Sequence, residues 1–170
     1  QKSVKRLPPQ GELVSTPNFS GVGEPVKVST TGLQPNQPYK LNWTRVIGNR
    51  MTGQGWEQNS ISVAEAKADA QGRIEFEFKT PDDLGGTHGL FVETGPNTKK
   101  LGTHFIKATS LPLDVKRGPV GTKFTIHLKG VGWTGTANIL HMVYDNSYVG
   151  YACAFNTQGD VEIFVQANHA

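Results

Sequence analysis

Few residues in this chain of 170 are of a type and spacing that could do chemistry. Cys153, the single cysteine, would need an imidazole to act as a nucleophile, and His127 and His141 lie in its half of the chain. It sits within Tyr151-Ala152-Cys153-Ala154-Phe155, where Tyr151, Cys153 and Phe155 share one strand face, so a buried, inert thiol is expected. No Gly-x-Ser-x-Gly motif presents a serine. The histidines (His88, His104, His127, His141, His169) lack the His-Glu-x-x-His spacing of a zinc site. His88 and His104 fall on the last two strands expected in the first domain, where a cross-strand pair could hold a metal, but ordinary surface or half-buried histidines explain them more simply. Asp69, Asp82 and Asp83 fall in turns with no EF-hand pattern, where a backbone hydrogen bond accounts for an aspartate. Glu75 and Glu77 alternate with Ile74, Phe76 and Phe78, which puts both carboxylates on a solvated face and not in a cleft. No catalytic, cofactor or metal residue is therefore assigned, and the chain is not expected to be an enzyme. Contact with a ligand or partner is expected at aromatic residues instead: Trp56, Trp133 and Tyr148, with Tyr151 a further ring that could face carbohydrate.

The segments that carry these residues read as strands. Gly and Pro are plentiful, and there are no helix-period runs of Leu, Ala, Glu and Lys. Strands are expected at about 12–15, 25–31, 39–46, 61–68, 73–79, 87–93 and 102–107, separated by turns such as Asp69-Ala70-Gln71-Gly72. Seven short strands at this spacing predict an immunoglobulin-like sandwich over residues 12–108, with Trp43 in its core as the end of the Tyr39-Leu41-Trp43 face. Residues 48–60 have no period and read as an unusually long loop carrying Trp56. Residues 1–11 form a basic, Pro-rich arm.

A second copy follows a linker near 108–113. Residues 25–32 align with 123–130, and 39–43 with 137–141, both at a shift of 98. Residues 71–76 align with 158–163 at a shift of 87, the difference of 11 being the extra loop of the first copy. Residues 109–170 then stop two strands short, which predicts a second sandwich without its last strands. Either the natural chain continues, or a partner supplies the missing strand.

Gly118-Pro119-Val120-Gly121-Thr122, an alternating strand, Gly130-Val131-Gly132-Trp133 and Tyr144-Asp145 resemble the IPT/TIG-type, early-set immunoglobulin-like domains of surface and secreted proteins. The turn Gly32-Leu33-Gln34-Pro35, with Ala68-Asp69-Ala70-Gln71-Gly72, is similar to the N-terminal immunoglobulin-like module of acyl-CoA thioesterases and bile-acid acyltransferases, an accessory without catalytic residues. Both resemblances imply a support or binding module.

Net charge is +3, with Lys and Arg scattered, so the basic stripe of a nucleic-acid binder is absent. No apolar run approaches the roughly 20 residues of a membrane span. The expected protein is a structural or interaction module of the cell surface or extracellular space, serving as spacer, adhesion or assembly subunit, with protein partners or self-assembly through strand complementation of 109–170. Alternatives are an accessory module of a larger secreted enzyme and a carbohydrate-binding module. A calcium ion at the domain junction is left open.

Overall fold

A computed structural model describes residues 14–49, 55–132, 139–144, 146–153 and 159–167. Every regular element among them is a strand. In the first copy these are β1 (Val14–Thr16), β2 (Phe19–Ser20), β3 (Pro25–Thr30), β4 (Pro38–Asn49), β5 (Gly55–Lys67), β6 (Ile74–Lys79), β7 (Gly86–Thr94) and β8 (Asn97–Ile106). One sheet has the order β1-β3-β6 and the other β2-β8-β7-β4-β5. That strand order, with the chain passing from one sheet to the other between β1 and β2, is the immunoglobulin-like sandwich.

Period-two alternation builds its core. In β3 and β6 every second residue is buried, and the antiparallel register sets Val26 opposite Phe78, Val28 opposite Phe76 and Thr30 opposite Ile74. From the facing sheet come Leu41, Trp43, Leu90, Val92, Leu101 and Ile106, all fully enclosed. On the outer face of the first sheet, Lys27 pairs with Glu75 and Glu77, so those carboxylates are solvated as their alternation requires.

One expectation is corrected here. Residues 48–60 are not a long loop: β4 and β5 form one extended antiparallel hairpin in which Gly48 pairs with Trp56 and Asn49 with Gly55, leaving only 50–54 outside the described residues. Polar and small residues concealed the strands because this part of the hairpin runs past the point where β4 pairs with β7, at Leu41–Trp43, and has no core to face. The short β2, parallel to β8, also carries too few residues to show a period.

The second copy comprises β9 (Thr109–Ser110), β10 (Lys123–Lys129), β11 (Ile139–Tyr144), β12 (Ser147–Cys153) and β13 (Val161–Gln166). The presumed linker therefore contains a strand. Sheet β13-β10-β9 repeats the order β6-β3-β1, and hairpin β11-β12 repeats β4-β5. Among the described residues nothing corresponds to β7 and β8. The core is correspondingly thin: no residue of β10 is buried, and in β13 only Ile163 is.

Candidate functional site

The groups that sequence reasoning weighed for chemistry meet inside the first sandwich. His88 and His104 are directly opposed on β7 and β8, and both are buried. The His88 ring stacks on Trp43 at 4.5 Å, and His104 lies 5.8 Å from the same indole. His88 Nδ1 is 2.8 Å from the Thr44 carbonyl and Nε2 is 2.7 Å from the Leu84 carbonyl. Carbonyls only accept, so both contacts are hydrogen bonds only when both ring nitrogens carry hydrogen. Neither nitrogen is then free to ligate a metal. Among the described residues no group of three or more His, Cys, Asp or Glu side chains is placed to hold one.

Asp83 anchors this cluster. Its Oδ2 accepts from Trp43 Nε1 at 3.2 Å and from Arg45 Nε at 3.1 Å, its Oδ1 accepts from the Leu84 amide at 2.9 Å, and His88 Nδ1 lies 4.0 Å away. A carboxylate with no exposed surface is tolerated because these donors replace its water. The expectation that Asp83 only closes a turn is thus too modest: it ties the β6–β7 connection to the core indole and to β4.

Ser20 Oγ stands 2.7 Å from His104 Nε2, a separation suited to a nucleophile and its base. Ser20 also bonds Thr80, and both members of the pair are sealed from solvent. No described protein group meets His104 Nδ1, so nothing orients the ring as a triad carboxylate would. Burial, with the charge of His88 adding to it, holds His104 below the ordinary histidine pKa. The arrangement is that of a neutral core hydrogen bond. Nothing in the sequence signalled it, since the partners are 84 residues apart.

Just outside this cluster the two copies join. The Gly85 amide donates to the Val131 carbonyl (3.0 Å) and the Val131 amide to the Gly159 carbonyl (2.9 Å). A bridge pairs Gly85 with Gly132, while Leu84 and Val131 are enclosed. The glycines permit the approach: a Cβ on Gly85 would lie 1.9 Å from the Gly130 carbonyl oxygen, and one on Gly159 2.8 Å from that of Asp83. Lys129 Nζ binds Asp82 (2.7 Å) and Asp160 (2.9 Å), so an ammonium occupies the space between the acids at the junction considered for calcium. Those two bonds, Asp82 first, raise the Lys129 pKa above the ordinary lysine value. The turn Gly130-Val131-Gly132 is thus part of a joint.

Exposed apolar surface gathers in the second copy. Val143, Tyr148 and Tyr151 are 64, 60 and 65% exposed, with Ile139 beside them on one face of the β11-β12 ribbon. His141 shares that face, its ring 6.0 Å from Tyr148. Tyr148, one of the expected contact residues, is an exposed ring on this face. Tyr151 is not buried, which overturns the expected interior face of β12; the side chain of Cys153, and Phe155, lie outside the described residues. Trp56 is placed by its backbone at the far end of the β4-β5 hairpin, its side chain outside the described set, and Trp133 lies outside the described residues altogether.

The fold and these surfaces define an all-β, immunoglobulin-like chain. No protein-family model matches it, and no curated protein does. Among solved structures it is similar to Spo0M, a sporulation control protein from Bacillus subtilis, at 10% identity and TM-score 0.33, covering 92% of this chain and 90% of that one. It is also similar to the human OSCAR ligand-binding domain, at 15% identity and TM-score 0.28, covering 92% and 82%. Superpositions this loose assign neither a family nor a role.

Proposed function

We propose that the chain is a non-catalytic interaction module of the cell surface or extracellular space, built as tandem units over 12–108 and 109–170, that joins a protein partner by accepting an extended partner strand along β11. One observation carries the reading. In the first sandwich β4 is hydrogen-bonded on both sides, to β5 and β7, whereas β11, its counterpart, has only β12 among the described residues. An edge strand offers a row of backbone donors and acceptors, and the exposed face of the ribbon beside it carries Ile139, Val143, Tyr148 and Tyr151 around His141. The first copy specifies the occupant's chemistry: β7 runs antiparallel to β4 and sets Leu90 and Val92 into the core, so an alternating apolar strand suits β11. Ser20 and His104 are buried in a bond to each other, and His88 and Asp83 are buried against backbone carbonyls, Trp43, Arg45 and the Leu84 amide, which supports the non-catalytic part.

Amide hydrogen exchange tests this directly. In the isolated chain the β11 amides should exchange faster than those of β4, and should slow when a synthetic peptide with the β7 sequence, 86–94, is added. Amides of β11 already as protected as those of β4 would defeat the proposal.

A further inference from the structure

The end of the first sandwich remote from the joint carries a cleft of about 650 Å³, between the β3–β4 connection and the β7–β8 turn. Strand β7 runs from the joint at Gly85 to this cleft, and nine residues at about 3.3 Å each separate the two by roughly 30 Å. The volume lies within the range of about 300–1,000 Å³ common for ligand sites.

The walls are held in place without a ligand. Leu33 is buried, its amide donating to the Gly72 carbonyl at 3.1 Å. The Gln34 amide donates to Tyr39 Oη at 3.0 Å. Lys99 Nζ reaches from β8 to the Thr31 carbonyl at 2.5 Å, tying that strand to the β3–β4 connection. Across the turn, Thr94 Oγ1 donates to the Asn97 carbonyl at 3.2 Å.

What lines the cleft selects the ligand chemistry. Gln34, Gln37 and Asn97 present three exposed carboxamides, each with a donor and an acceptor side by side. Glu93 and Lys99 balance in charge, and the Lys99 ammonium is already engaged with Thr31. With one charged side chain of each sign in its lining, the cleft has no cluster of like charge to select an anion or a cation, and an apolar ligand would leave the carboxamides unpaired. A neutral ligand with adjacent hydroxyls, each both donor and acceptor, matches all three. We propose that this cleft binds a neutral oligosaccharide, at a site separate from the strand-accepting edge of β11.

The test is an array of neutral oligosaccharides (gluco-, manno- and chito-oligosaccharides of two to six units) beside sialylated and uronate-containing ones, probed with the whole chain and followed by calorimetric titration of the strongest binder. Saturable binding of a neutral oligosaccharide is expected, weakened about tenfold or more by Gln34→Ala and by Asn97→Ala. Both variants replace exposed side chains and should keep the parent's thermal midpoint. Val143→Ser, on the β11-β12 ribbon, should leave sugar affinity unchanged, so failure here and failure of the strand-accepting reading are told apart. The proposal is overturned by no neutral binding at millimolar sugar, by binding confined to acidic glycans, by neutral binding that survives both cleft variants, or by its displacement through a short peptide.

Discussion

The two copies begin alike and differ in what covers them. In the first, Val26 and Val28 on β3 face Phe76 and Phe78 on β6, closed over by Leu90, Val92, Leu101 and Ile106 from β7 and β8. In the second, the aligned Phe124 and Ile126 on β10 face Ile163 and Val165 on β13 in the same register, but only Ile163 is buried. The local pattern is equally apolar in both. Burial is therefore a property of the facing sheet, and an alternating strand without its cover stays half wet.

The comparison is broken most severely by attacking the covered copy. Phe76→Ala should cost about 3–5 kcal/mol, whereas Ile126→Ala, half-exposed, should cost about 1 kcal/mol, both read by denaturant melts. Equal costs would mean that the second copy is as well covered as the first. Asp83→Ala belongs with the large effects, at about 3–5 kcal/mol, because it leaves the Arg45 charge and the Trp43 N–H without their buried acceptor.

The joint ranks next. Gly130 has φ of +67° and a Cβ there would lie 2.7 Å from Ile106 Cγ2 and 2.9 Å from the Lys107 carbonyl oxygen, whereas Gly23, at +80°, has open space around it. Gly23→Ala should cost about 1–2 kcal/mol for the left-handed backbone alone. Gly130→Ala should add about 1–3 kcal/mol of overlap and should separate the melting of the two copies in a calorimetric scan.

A smaller effect is pH-dependent. His104 is held below its unfolded value of 6.5, so the unfolded chain takes up a proton that the folded chain refuses. Its contribution is complete above pH 6.5 and is lost as pH falls below that value, levelling off under the folded pKa. His104→Gln should flatten that part of the stability profile, in a cluster that also contains His88, Asp83 and Arg45; an unchanged slope would reassign it. Smallest is Lys129→Ala, at about 0–1 kcal/mol and shrinking with added salt, since the side chain is partly exposed.

How far the chain was legible varies with the range of the forces involved. Alternation in β3 and β6, and the placing of Trp43 in the core, follow from neighbouring residues and could be read directly. The outer half of the β4-β5 hairpin could not, because residues with no core to face carry no apolar period. The repeat located β11 but not the environment of its faces: Leu41 and Trp43 are enclosed, while the aligned Ile139 and His141 are exposed. For the candidate surfaces, Tyr148 was legible as an exposed ring, whereas the cleft beside Gln34 and Asn97 unites segments some 60 residues apart that share no pattern.

The all-β class and most strand positions were legible from neighbouring residues, since a pleated strand writes its period into adjacent positions. The approach of distant segments set the rest: Ser20 meets His104, Asp83 holds Arg45 and Trp43, Gly130-Val131-Gly132 locks against Leu84-Gly85, and Val143, Tyr148 and Tyr151 stay exposed. Those outcomes depend on which backbones approach closely and on which donors replace water around a buried charge. Such conditions join residues far apart in the chain and leave no local period to read.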